Sequence, residues 1–168
     1  MEHQHLNNKE AIEKLKNIVE EIKVAMMATI HDGELYSRPM HSMEVDAEGN
    51  IWFFTSKDSE KVEDVEEDST IYLMYAHPGR HTYLHVKGTS TIVEDQQKID
   101  ELWSSFVQAW FPKGKDDPNL CLMKVKTQEA SYWDSATSKF VLFFQIAKAL
   151  LKGERHQDGD VGHLHINS

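Results

Sequence analysis

A chain of 168 residues, 40% of them hydrophobic, suits one domain with a core of its own and excludes wholesale disorder. Its formal net charge of −10, with no basic stripe, excludes a nucleic-acid partner, which demands a basic face. The single cysteine, Cys121, excludes a disulfide within the chain and fits a reducing cytosol.

The first residues are polar and hold no signal-peptide core, so a cytoplasmic protein is expected. Residues 7–23 read as an amphipathic helix. Ile12, Leu15, Val19 and Ile22 recur at helical spacing, and Asn7 with Glu10 resembles a capping box. Residues 24–30 read as a buried strand. His31-Asp32-Gly33 then turns the chain into a second strand-like run, 35–45, and Asp46-Ala47-Glu48-Gly49-Asn50 turns it into a third, 51–56. Residues 59–67 read as a short helix, and the acids gathered there, Glu60, Glu63, Asp64, Glu66, Glu67 and Asp68, read as a solvated face. Residues 70–75 read as a strand ended by His77-Pro78-Gly79. Residues 82–93 read as a long strand, with Gly88 as a bulge or bend.

Residues 96–111 read as one helix. Ile99, Leu102, Trp103, Phe106, Val107 and Trp110 fall on a single continuous face, so Trp103 and Trp110 are expected in the core. Pro112-Lys113-Gly114 stops it. Residues 120–126 read as a last core strand with Cys121 as buried filler, and 130–134 as a short extended piece. A final helix is expected over 137–152. Its apolar stretch, 140–151, is interrupted by Gln145 and Lys148 and is too short to span a bilayer, so no membrane partner is expected. Residues 153–168 read as a loosely held polar tail, leaving 1–152 as the single domain. About six strands joined mostly by hairpins predict a mainly β fold: an antiparallel sheet curling into a barrel, with flanking α-helices. A doubly wound parallel sheet is disfavoured, because helices do not alternate with strands and no glycine-rich phosphate loop is present.

Chemistry concentrates in two segments. Tyr36-Ser37-Arg38-Pro39-Met40-His41-Ser42-Met43 carries an arginine inside a strand-like run, and Pro39 marks an edge or an irregular stretch. There Arg38 can pair with a phosphate or form a surface salt bridge. Ile51-Trp52-Phe53-Phe54-Thr55-Ser56 ends in hydroxyls just before a helix start, with Ser59 and Lys61 following. A helix start suits an anion, and a cation in the first turn is disfavoured unless it meets one. The alternative is simple N-capping by Ser59, with Lys61 paired to a neighbouring acid. Neither His81 with His85 nor His163-x-His165 offers a third ligand at metal spacing, so no metal is expected. No nucleophile or acid–base constellation is legible, and the catalytic residues stay unknown. Trp133 lies off any helix, where a half-exposed ring could wall a pocket.

Taken in order, Ser37-Arg38-Pro39-Met40, Ile51 to Ser56, Lys61, Ala109-Trp110-Phe111-Pro112, Asp116-Asp117-Pro118 and Tyr132-Trp133-Asp134 resemble a known family. They look like the pyridoxamine 5'-phosphate oxidase-like FMN-binding split barrels, in their general stress protein branch, over residues 10–150. The resemblance implies a six-stranded antiparallel split barrel, bound FMN, and a homodimer with cofactor sites at the interface. It implies that Arg38 binds the phosphate and that Pro39, Met40, His41, Ser42 and Met43 run along the flavin and its phosphate tail. Phe54, Thr55, Ser56 and Lys61 also contact the cofactor, and Trp133 is the candidate to cover the ring, from the other subunit if the sites lie at the interface. Two departures stand out. Glu60 occupies the place where the classical oxidases carry an arginine, and residues 137–168 lack their arginine-rich substrate segment. The expectation is therefore a stress-related, FMN-dependent oxidoreductase acting on an unidentified small substrate, and not a true pyridoxamine-phosphate oxidase. The alternative is a non-catalytic flavin-binding, storage or sensing protein.

Overall fold

The first helix, α1, runs over Asn8–Ile22 in the computed structural model, which describes residues 8–134 and 160–166. It buries Ala11, Leu15, Ile18 and Val19, one face at helical spacing. Lys23 ends it in the left-handed region, at φ 66°, and the chain reverses into β1, Val24–His31. Asp32 and Gly33 both have positive φ, which closes a two-residue hairpin onto β2, Glu34–His41. The chain continues through β3 (Glu44–Val45), β4 (Asn50–Ser56), α2 (Glu60–Glu67) and β5 (Thr70–His77). After a 3-10 turn come β6 (Thr82–Val93), α3 (Gln96–Leu102), α4 (Ser105–Trp110), β7 (Leu120–Asp134) and β8 (Asp160–His165). The expected helix over 137–152 and the capping Asn7 lie outside the described residues.

The strands form one antiparallel sheet in the order β2-β1-β5-β6-β7-β4-β3, with β8 added beside β7. The mainly β, antiparallel expectation holds, but two of its details are corrected. Among the described residues the sheet has eight strands rather than six, and its path ends at β2 and β3 instead of closing. The extra strands have identifiable origins. The chain leaves β2 at Ser42, so the run read as 35–45 splits into β2 and β3. The stretch 160–165, read as loose tail, pairs with residues 129–134 of β7 and places Leu164 in the core.

β7 is continuous where two pieces were expected. Lys87 pairs with Glu129 and Gly88 with Thr127, so the register steps across Gln128. This bulge lets the long strand bend without breaking. Gly88 permits it, since a Cβ there would sit 2.4 Å from the Lys126 carbonyl oxygen.

The strands split the apolar residues between two cores. In β4, Ile51 and Phe53 face the main cluster with Leu15, Met27, Leu73 and Val86. Their neighbours Trp52 and Phe54 face a second cluster with Ile99, Val107 and Leu122. Alternation at period two does this, and it explains why almost all of β4 is buried. The predicted helix 96–111 is in fact two. Trp103 is extended and Ser104 caps α4, its Oγ accepting the Val107 N–H at 3.4 Å. The break rotates the second half, so Val107 is buried while Trp110, expected in the core, is 71% exposed.

Candidate functional site

A cleft of about 450 Å³ opens where the ends of β2 and β4, the start of α2 and the face of α4 converge. Of the residues predicted from sequence, Pro39, Met40, His41 and Met43 line it from the β2 side. Phe54, Thr55, Ser56 and Lys61 line it from the β4–α2 side. Sequence reasoning missed Val24, Phe106, Val107, Trp110 and Phe111, which complete the wall. A signal was present: Ser104 and Ser105 interrupt the apolar run, and serine is a preferred helix cap.

One end of the cleft is polar. The Thr55 and Ser59 hydroxyls lie 3.2 Å apart, and the Ser59 hydroxyl donates to the Ser56 carbonyl at 2.7 Å. Ser59 precedes α2 but its side chain makes no capping bond, so the capping alternative fails. Lys61 stands in the first turn of α2. Burial first, and then the Arg38 charge, pull its ammonium below the ordinary lysine value. Among the described residues no hydrogen bond or ion pair engages it. Below the polar end, Cys121 packs against the Thr55 carbonyl and burial pushes its thiol up to about 11, as suits inert filler.

Arg38 does not line the cleft. Its Nη1 donates to Thr29 Oγ1 at 2.6 Å and its Nη2 to Asp64 Oδ2 at 3.1 Å, while the Thr29 hydroxyl donates to the same carboxylate at 2.7 Å. Asp64 is buried, so the solvated acidic face read for α2 has an exception. Ser42 also lies behind the cleft wall, its hydroxyl sharing a 2.7 Å hydrogen bond with Tyr75 Oη. Trp133, on β7 beside Tyr83, is not among the residues that line the cleft.

The opposite end of the cleft is apolar and aromatic. His41 packs on Phe106 with ring centroids 4.5 Å apart, and Phe106 on Trp110 at 6.5 Å. Burial, then the Lys23 charge, lower the His41 pKa, with the Ser42 backbone opposing in part, so the imidazole is neutral at pH 7. Behind His41 and Met43 lies a second cavity of about 420 Å³, edged by Val19, Glu20, Lys23 and Glu44. Among the described residues no cluster of histidine, cysteine or acidic side chains could hold a metal, and no helix is long and apolar enough to cross a membrane.

Comparison with known proteins adds the family context. The model described as "Pyridoxamine 5'-phosphate oxidase like" matches residues 10–158. General stress protein 26 of Bacillus subtilis is 27% identical over 127 residues, covering 74% of this chain and 89% of that protein. A solved structure described as a general stress protein 26 from Jannaschia sp. CCS1 superimposes with a TM-score of 0.77 at 24% identity, covering 93% and 98% of the two chains. That likeness identifies the open sheet with its flanking helices as a split-barrel-like fold. The general stress FMN/FAD binding protein from Xanthomonas citri is 30% identical, with a TM-score of 0.66 and coverage of 77% and 92%.

Proposed function

Because the chain belongs to the pyridoxamine 5'-phosphate oxidase-like family, we propose that its cleft binds FMN and that the protein is a flavin-dependent oxidoreductase of the general stress branch, acting on a small substrate. One observation carries the reading: Lys61, partly desolvated and with no described partner, faces a cluster of hydroxyls at one end of an apolar cleft. A half-buried cation without an ion-pair partner is a costly arrangement, and a phosphate relieves it. The cleft volume falls in the usual range for small-molecule sites, about 300–1,000 Å³. A solved relative named as an FMN/FAD binding protein supports the flavin assignment.

In this reading Lys61 holds the phosphate with the Thr55, Ser56 and Ser59 hydroxyls. Arg38 adds positive charge from behind, its guanidinium oriented by Asp64 and Thr29. Pro39, Met40, Met43 and Phe54 supply the apolar surface along the flavin, and Ser42 fixes the end of β2 through Tyr75. FMN, when bound, supplies the electron-transfer chemistry, and the protein supplies position and exclusion of water.

Homodimerisation belongs to the same proposal. Val24, Met26, Met74, Tyr83 and Trp133 are large apolar side chains exposed on β1, β5, β6 and β7. Met26 pairs with Met74 and Tyr83 with Trp133, and Val24 also edges the cleft. A second copy of the chain would cover this surface, Trp133 included. A cytoplasmic location rests on the lone cysteine.

The test is FMN titration of the wild type and of Lys61→Ala. Losing one charge-assisted contact, worth about 1.5–3 kcal/mol, weakens binding by roughly ten- to a hundredfold. Equal affinities refute the assignment of Lys61. Bleaching of bound flavin by a reduced pyridine nucleotide, with reoxidation in air, supports an enzyme. Flavin inert to every common reductant leaves a binding protein.

A further inference from the structure

We infer that the aromatic wall of α4, Phe106 and Trp110 continued by His41, is the surface that covers the flat ring of the ligand in the cleft, with Trp110 as its outer member. The inference rests on the FMN reading above and assigns the ring contact to a residue of the same chain that holds the phosphate end.

Three observations converge on it. Phe106 and Trp110 are 46% and 71% exposed, yet both line the cleft. Exposed aromatic surface of this size beside an apolar cavity is stabilised by a planar occupant. The rings also form a run, His41 to Phe106 at 4.5 Å and Phe106 to Trp110 at 6.5 Å, instead of standing singly. The wall is built deliberately in local terms. The Ser104 cap breaks the helix so that Trp110 leaves the core face, and the Gln108 side chain donates to the carbonyls of Phe111 and Pro112, pinning the end of α4. No residue from Ser105 to Trp110 is charged, and His41 is neutral at pH 7. The wall thus suits a conjugated ring, whereas the hydroxyl-lined end with Lys61 suits the phosphate.

The experiment reads flavin fluorescence, which a neighbouring indole quenches, and FMN affinity. Wild-type protein is expected to quench FMN emission on binding. Trp110→Phe keeps a ring in place and is expected to restore emission several-fold with little change in affinity. Trp110→Ala is expected to weaken FMN binding by up to about tenfold, the usual range for one aromatic stacking partner. Trp133→Phe is expected to leave the quenching unchanged. Sedimentation of each variant separates ring contact from subunit contact. Unchanged quenching and affinity in both Trp110 variants overturn the inference. So does relief of quenching by Trp133→Phe in place of Trp110→Phe, or a Trp110→Ala protein that loses its dimer but keeps wild-type affinity. Wild-type protein that binds no FMN overturns the FMN reading and this inference together; wild-type protein that binds FMN with no role for Trp110 overturns this inference alone.

Discussion

Arg38 and Lys61 are cations at the same end of the molecule, but they sit in different electrostatic situations. Arg38 is compensated by the buried Asp64 carboxylate, whereas no described side chain hydrogen-bonds or ion-pairs with Lys61, and the neighbouring Glu60 offsets its desolvation only in part. Removing Asp64 should therefore hurt the fold. Asp64→Ala leaves a half-buried guanidinium and the Thr29 hydroxyl without their acceptor. It should lower unfolding free energy by about 3 kcal/mol, measured by urea denaturation. Lys61 should instead reveal itself in binding. Its pKa is lowered from 10.5, so it loses its proton at a lower pH than an ordinary lysine. The phosphate of FMN is already fully ionised above about pH 7. FMN affinity should accordingly stay level from neutral pH and then decline on the alkaline side before pH 10.5. In Lys61→Ala the decline should vanish, and titrations across pH check both statements. Sequence placed both cations correctly on their elements. It could not tell which was neutralised, because Asp64 meets Arg38 only through the packing of α2 against β1.

At the scale of elements, β6 and β7 are the longest strands, and their shared bulge is a point where one methyl group matters. Gly88→Ala would drive a Cβ into the Lys126 carbonyl and against Val125. Overpacking of this kind typically costs about 1–3 kcal/mol, which thermal or urea unfolding would register. Neutral behaviour of that variant would mean the bulge relaxes. The strand pattern and the Gly88 irregularity were legible because period-two alternation and glycine placement are local signals. The break at Trp103-Ser104 was not read, although the caps were visible, because the apolar positions alone fit one uninterrupted helical face. That single error hid the cleft wall formed by Phe106 and Trp110. The strand at 160–165 escaped for a different reason: its polar, histidine-bearing sequence carries little β signal, and its place beside β7 is set by long-range pairing.

At the scale of the whole molecule, the open sheet of the described residues, with α1 packed against it, leaves the cleft at the rim, between the ends of β2 and β4. The outer apolar side chains of β1, β5, β6 and β7 run from that rim toward Trp133. A homodimer across this surface would bring each cleft near the second copy, so sedimentation should give twice the chain mass of 19.4 kDa. The proposed function depends on a phosphate-bearing flavin in the cleft. Its most direct test is the visible absorption spectrum of the protein as purified, followed by addition of FMN. A yellow protein with the absorption of bound oxidised flavin, or a colourless one that binds added FMN with Lys61→Ala impaired, is the predicted result. A colourless protein that takes up no FMN would contradict the account.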